Sequence, residues 1–309
     1  MSYQKIEIKQ GINLHIIKTK NFKTNLFAAF LTTPLDRNTV TKNTLISSVL
    51  RRGTKSMPTQ EDISKNLEYM YGATFNCGVE KIGDNHILKF YLESLNDEFL
   101  PTNENVLEKS ITNLLEIVSD PILENGCFVT EYINTEKENL KQIINGKIDD
   151  KPSYAFYRCT EEMYKDEAYG LYKYGYIEDL DDLNAGNLYE YYQNLLSSCK
   201  IDFIFSGDID ENQINQIINA SPYMNSLQPR MLDKSMENDA QNMSNTPNEI
   251  TENLDVTQGQ LIIGLNINTP RQQAQYTAIL YNAILRRNTK LKNVSKCQRE
   301  RKSGLPCIL

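Results

Sequence analysis

The sequence predicts an α+β fold: a two-layer αβ domain in which helices cover an antiparallel sheet, followed by the incomplete start of a second copy. Three observations carry this. Phe75, Cys77 and Val79 alternate with polar residues before the Gly83-Asp84-Asn85 turn, and Leu88, Phe90 and Leu92 do so after it, which is a β-hairpin pattern. Leu107, Ile111, Leu114, Leu115 and Val118 recur at helical spacing and form one apolar face. Strand, Thr33-Pro34, helix, Arg51-Arg52 and Thr54-Lys55 recur as strand, Thr269-Pro270, helix, Arg286-Arg287 and Thr289-Lys290. Such self-similarity, about 235 residues apart, marks a duplicated unit.

In chain order, Leu14–Ile17 reads as a strand, and the near-continuous apolar run Leu26–Leu31 as a buried central one. Leu45, Ile46, Val49 and Leu50 make Thr41–Arg52 a helix with one buried stripe. Gly53 stands where a helix-ending glycine belongs, and Arg51 and Arg52 suit the negative end of the dipole. Thr59 with Asp62 starts the next helix, Ile63, Leu67 and Met70 are its buried face, and Gly72 ends it. After the helix at 107–118, halted by Asp120-Pro121, a longer one runs from Phe128 to about Lys147 with Ile133, Leu140 and Ile144 inward. The tyrosine-rich stretch Tyr154–Tyr176 reads as half-buried aromatics around a loop between helices, not as a stacking platform for bases. Asn184 caps a helix carrying Leu188, Tyr191, Tyr192 and Leu195, and Ile201–Phe205 is a strand. These elements place a first domain at 1–227, a polar linker at 228–253, a truncated second domain at 254–289 and an unstructured tail at 290–309. In the second domain Leu261, Ile263 and Leu265 are expected to be poorly covered.

Composition narrows the function classes. A formal charge of −7 over 309 residues argues against nucleic acid as a partner. No apolar run reaches the roughly 18 residues of a membrane span. The N-terminus lacks a signal-peptide pattern, so a cytoplasmic location is expected. The six cysteines, Cys77, Cys127, Cys159, Cys199, Cys297 and Cys307, contain no C-x-x-C pair and are expected to be free thiols.

The stretch Lys42–Pro58, KNTLISSVLRRGTKSMP, resembles the active-site helix of the pitrilysin and insulinase-like zinc peptidases. Their pattern is H-x-x-E-H, an apolar pair, two variable residues, G-T-K and a nearby proline, and Val49 to Lys55 with Pro58 hold its second half. Aligning Gly53 puts Thr44, Ser47 and Ser48 where the family keeps its first histidine, its glutamate base and its second histidine. The third ligand, a glutamate seven residues after another, falls on Ile143 in Glu136–Ile143. Asp179–Tyr192 and Gly207 to Asp210 resemble the family's closing helix and strand end. Hydroxyls and a sec-butyl group do not replace imidazole and carboxylate at zinc, so the resemblance implies no catalytic residue, no metal and no cofactor. His15 and His86 read as strand residues, and no positioned base accompanies Ser47 or Ser48 as a nucleophile.

The resemblance is nearest to the non-catalytic half of a bacterial pair associated with elongation factor P modification. It implies a partner subunit that shapes a peptide-binding chamber with an active, zinc-bearing homologue. It also implies that peptides dock on an edge strand at Ala73–Glu80, through Thr74, Phe75, Asn76 and Cys77. Two other functions stand against it. One is a truncated or frameshifted pseudogene product, since Lys292–Glu300 can be back-translated and shifted into the family's next helix. The other is a residual zinc metalloendopeptidase.

Overall fold

The computed structural model describes residues 2–209, 211–227, 248–254, 258–267, 276–277, 279–281, 283–284, 297–298 and 305–308. Two compact units emerge, Met1–Ile144 with Lys173–Asp233 and Asn145–Tyr172 with Lys234–Leu309. This division does not follow a single boundary at residue 227, because Asn145–Tyr172 joins the later part of the chain.

The first unit is built on a six-stranded sheet. Its strands are β1 Ser2–Lys9, β2 Ile12–Lys18, β3 Thr24–Pro34, β4 Thr74–Ile82, β5 Asn85–Leu95 and, after the two-residue hairpin β6 Leu123–Glu124 and β7 Cys127–Phe128, β8 Lys200–Gly207. The order is β1-β2-β8-β3-β5-β4. All neighbours are antiparallel except β2 and β8, which run parallel, so the sheet is mixed. The run Leu26–Leu31 is central as expected, for β3 pairs with both β5 and β8. β1 is an addition to the sequence reading, its Ile6 facing Leu14 across the ladder.

One face of the sheet has an apolar middle. Ile12, Leu14 and Ile16, Phe27, Ala29 and Leu31, Leu88, Phe90 and Leu92, and Ile201, Phe203 and Phe205 are all buried. The helices α1 Val40–Val49, α3 Val106–Ser119 and α6 Ala185–Ser198 supply the apolar residues that meet it. In α3 the predicted face Leu107, Ile111, Leu114, Leu115 and Val118 is buried throughout. The helix α2 Gln60–Tyr69 opens with the full Thr59/Asp62 capping box, and Gly72 follows it at φ +74°. α4 Thr130–Asn145 begins two residues later than predicted, since Cys127 and Phe128 pair into β7. α7 Glu211–Ala220 and the one-turn α8 Tyr223–Ser226 close this unit.

Gly53 corrects its sequence reading. It does not adopt the left-handed backbone of a helix-ending glycine. Its need is space, since an added Cβ would lie 2.2 Å from the Pro58 carbonyl oxygen.

In the second unit the tyrosine-rich stretch is not a loop. α5 Lys151–Met163 runs through it, capped by Asp150 and with Pro152 in its first turn. Arg158 holds Glu161, Glu162 and Glu252 at 2.7, 2.9 and 2.6 Å, and Lys147 lies 4.4 Å from the centre of the Tyr172 ring. β9 Gly264–Ile267, β10 Cys297–Gln298 and β11 Leu305–Ile308 form a three-stranded sheet in the order β10-β11-β9. Two strands therefore lie within 290–309, where the sequence announces no regular structure. Leu261 and Ile263 are 62% and 45% exposed. Most of the polar linker, Thr269-Pro270 and the Arg286-Arg287 and Thr289-Lys290 repeats lie outside the described residues.

Candidate functional site

Thr44, Ser47, Ser48 and Arg51 fall at i, i+3, i+4 and i+7, one stripe along and just beyond α1. The helix packs against β4 and β5, so this stripe meets the outer end of the sheet. Thr44 and Ser47 are buried, Ser48 is half-buried and Arg51 is exposed. Their hydroxyls are committed to backbone. Thr44 Oγ1 has two carbonyl acceptors, Val40 at 3.0 Å and Lys173 at 3.1 Å. Ser47 Oγ and Ser48 Oγ both donate back to the Thr44 carbonyl, at 2.8 and 3.4 Å.

From the sheet, Cys77 Sγ donates to the Ser47 carbonyl at 3.2 Å. Burial pushes this thiol up to about 11, opposed by Arg51 and reinforced by Glu136. Hydrogen bonds thus join Thr44, Ser47, Ser48 and Cys77. Ile143, near the end of α4 and 47% exposed, has no polar atom with which to join them. Glu136, seven residues earlier, is buried and forms an ion pair with Arg52. Among the described residues no group of three or more His, Cys, Asp or Glu side chains converges as a metal site would require.

A loop presses on the same helix. Gly175 sits at φ +83° with its Cα against Thr41, where an added Cβ would come within 2.2 Å of Thr41 Oγ1. Thr41 Oγ1 accepts from the Tyr176 N–H at 3.0 Å and donates to Asp179 at 2.5 Å. Arg37 completes this contact, donating to Asp179 at 2.6 Å and to Glu178 at 3.0 Å while lying 4.0 Å from the Tyr176 ring centre.

Sequence reasoning missed the polar network beside this loop. His86, fully buried in β5, has Nε2 2.9 Å from the Lys173 carbonyl and Nδ1 3.2 Å from Asn43 Nδ2. A carbonyl can only accept, so Nε2 carries the proton and Nδ1 accepts. Burial lowers this imidazole to about 4, leaving it neutral. Asn43 Oδ1 in turn accepts from the Tyr191 hydroxyl at 2.8 Å. The available signal was Asn43 itself, an amide among the apolar positions of a buried helix. His15 lies on the row of β2 that alternates with the buried one, between the Tyr3 hydroxyl at 2.8 Å and Asp202 at 3.1 Å.

β4 stands at the end of the sheet order. On it Thr74 and Asn76 are exposed, whereas Phe75 and Cys77 turn toward the helices and are half-buried. No helix among the described residues is long and apolar enough to cross a membrane.

No protein-family model matches the chain. It is 35% identical over 275 residues, 89% of its length, to the Bacillus subtilis protein named "Probable inactive metalloprotease YmfF". That match covers 64% of the relative, so the chain spans less than two thirds of it. Among solved structures, a conserved protein from Enterococcus faecalis matches the whole chain and 75% of its own at a TM-score of 0.85 and 26% identity. The peptidase M16 inactive domain from Pseudomonas fluorescens matches at 0.66 and 12% identity, with 100% of this chain and 73% of that one covered. Pitrilysin matches at 0.64 and 14% identity over 99% of this chain and 33% of its own. At those identities the last two show the fold. The fold is thus that of the M16-type inactive domains and pitrilysin, and the curated relative, itself named an inactive metalloprotease, supports an insulinase-like homologue.

Proposed function

We propose that this chain is a non-catalytic, cytoplasmic member of the family that helps to enclose a peptide-binding chamber, completed by an active zinc-bearing homologue. The observation that carries the reading is the state of the α1 stripe. The residues that align with the family's ligands and base are Thr44, Ser47, Ser48 and Ile143. The three hydroxyls are engaged with backbone carbonyls, and the fourth position is a hydrocarbon. Zinc sites draw on imidazole, thiolate and carboxylate, and this set has none of them. The name of the curated relative supports the same reading.

What such a subunit contributes is surface. β4 ends its sheet, and an unpaired strand edge offers N–H and C=O groups to an extended peptide. On this reading Thr74, Phe75, Asn76 and Cys77 form the docking segment. The test is co-expression with an H-x-x-E-H homologue from the same genome, followed by size-exclusion chromatography and a peptide-cleavage assay. A stoichiometric complex that cleaves peptides only when both chains are present supports the proposal. Separate elution with full activity in the partner alone overturns it, and insoluble expression in every combination favours the pseudogene reading.

A further inference from the structure

We infer that the β4 edge selects extended peptides bearing an acidic side chain, and that Arg51 is the residue that reads the acid. This rests on the docking role proposed for β4 and names the ligand class for it. Arg51 lies one turn past Ser48 on the same stripe of α1, is exposed, and makes no ion pair among the described residues. Its neighbour Arg52 is already committed to the buried Glu136.

The local charge balance follows from what surrounds Cys77. Cys77 donates to the Ser47 carbonyl at 3.2 Å, and Arg51 stands one turn after Ser47. Arg52 neutralises Glu136, so Arg51 is the surplus charge beside the strand. Farther along β4, Glu80 is neutralised by Lys89 at 2.7 Å, and Lys173 adds a second nearby cation. Lys173 sits 4.8 Å from the Tyr174 ring centre and has no carboxylate partner among the described residues. On the row that faces α1 the surplus charge is therefore that of Arg51, while the opposite row carries the exposed Glu93 across from Thr74, in a chain whose total is −7. Salt screens distant charges beyond about 10 Å, so the local cations decide what a docked strand feels.

Direction follows from the pleat. Side chains of a strand added to β4 continue its alternation, so every second residue joins the row of Phe75 and Cys77. That row faces the helix layer that includes α1, and Arg51 follows the last residue of α1 by two positions. A Glu or Asp there gains a charge-assisted partner, a Gln does not, and a Lys is repelled.

The experiment uses fluorescein-labelled, Val- and Thr-rich peptides with Glu, Gln or Lys at the centre, and anisotropy titrations of the full chain at low and high salt. Expected is about fivefold tighter binding of the Glu peptide than of the Gln peptide, near the upper end for an exposed pair. The Lys peptide should be weaker still. Arg51→Gln should abolish the ranking and Arg51→Glu reverse it, while N-methylation of the peptide backbone should abolish binding in all cases. Equal binding of the three peptides to wild type and Arg51→Gln would overturn the acid preference and leave the docking role standing. Binding that survives N-methylation, or no binding at all, would overturn the docking role itself. A chain that instead self-associates through this edge, seen as a dimer the Glu peptide does not dissociate, would overturn both.

Discussion

The Thr44 hydroxyl lies 3.1 Å from the Lys173 carbonyl, the same oxygen that accepts the Nε2 proton of His86 at 2.9 Å. One main-chain atom thus joins α1, β5 and the loop that follows residue 172. Thr44→Val keeps the shape and removes the donor. It should cost about 1 kcal/mol, the net worth of one buried hydrogen bond, read as a lowered denaturation midpoint with an unchanged slope.

His86 gives a pH dependence whose sign follows from its burial. The folded imidazole titrates near 4 and the unfolded one near 6.5, so on acidification the unfolded chain takes up the proton first. The contribution is fully present above about 6.5 and is lost as pH falls toward 4. Between pH 7 and pH 5 this group should cost the fold about 2 kcal/mol. His86→Gln should lower stability at neutral pH and flatten that part of the profile, measured by urea denaturation across the range.

Arg52 and Glu136 should behave as a coupled pair. Glu136 is nearly inaccessible, so Arg52→Met leaves its charge without a partner and should destabilise by about 3 kcal/mol. The double variant Arg52→Met with Glu136→Leu should recover most of that loss. A double-mutant cycle measures the coupling, and additive single effects would show that the pair does not act as one.

Two glycines should respond in opposite ways. Gly175→Ala places a methyl against Thr41 at a left-handed backbone angle and should cost about 3 kcal/mol. An added Cβ at Gly78, in β4, meets nothing within 4 Å, so Gly78→Ala should be neutral or slightly stabilising. Thermal melts of the two variants separate these outcomes.

The fold was readable wherever one residue type repeated with a clear period. α3 and the β4–β5 hairpin followed directly from Leu107 to Val118 and from Phe75 to Leu92. The parallel pairing of β2 with β8 was not, because it joins strands far apart in sequence and depends on what lies between them. α5 was hidden because six of its thirteen residues are Lys, Arg, Glu, Ser or Thr and three of the other seven are tyrosine or phenylalanine, which blur the period. Of the candidate site, the hydroxyl-bearing stripe Thr44, Ser47 and Ser48 was visible in the letters. The use of Thr44 to hold Lys173 was not, since backbone acceptors leave no mark in the sequence.

The central claim is that the α1 stripe cannot grip zinc, and zinc content measures it directly. The purified chain, incubated with equimolar zinc and desalted, should retain far less than one ion per molecule by mass spectrometry. One zinc per chain, lost on Thr44→Ala or Ser48→Ala, would contradict the account.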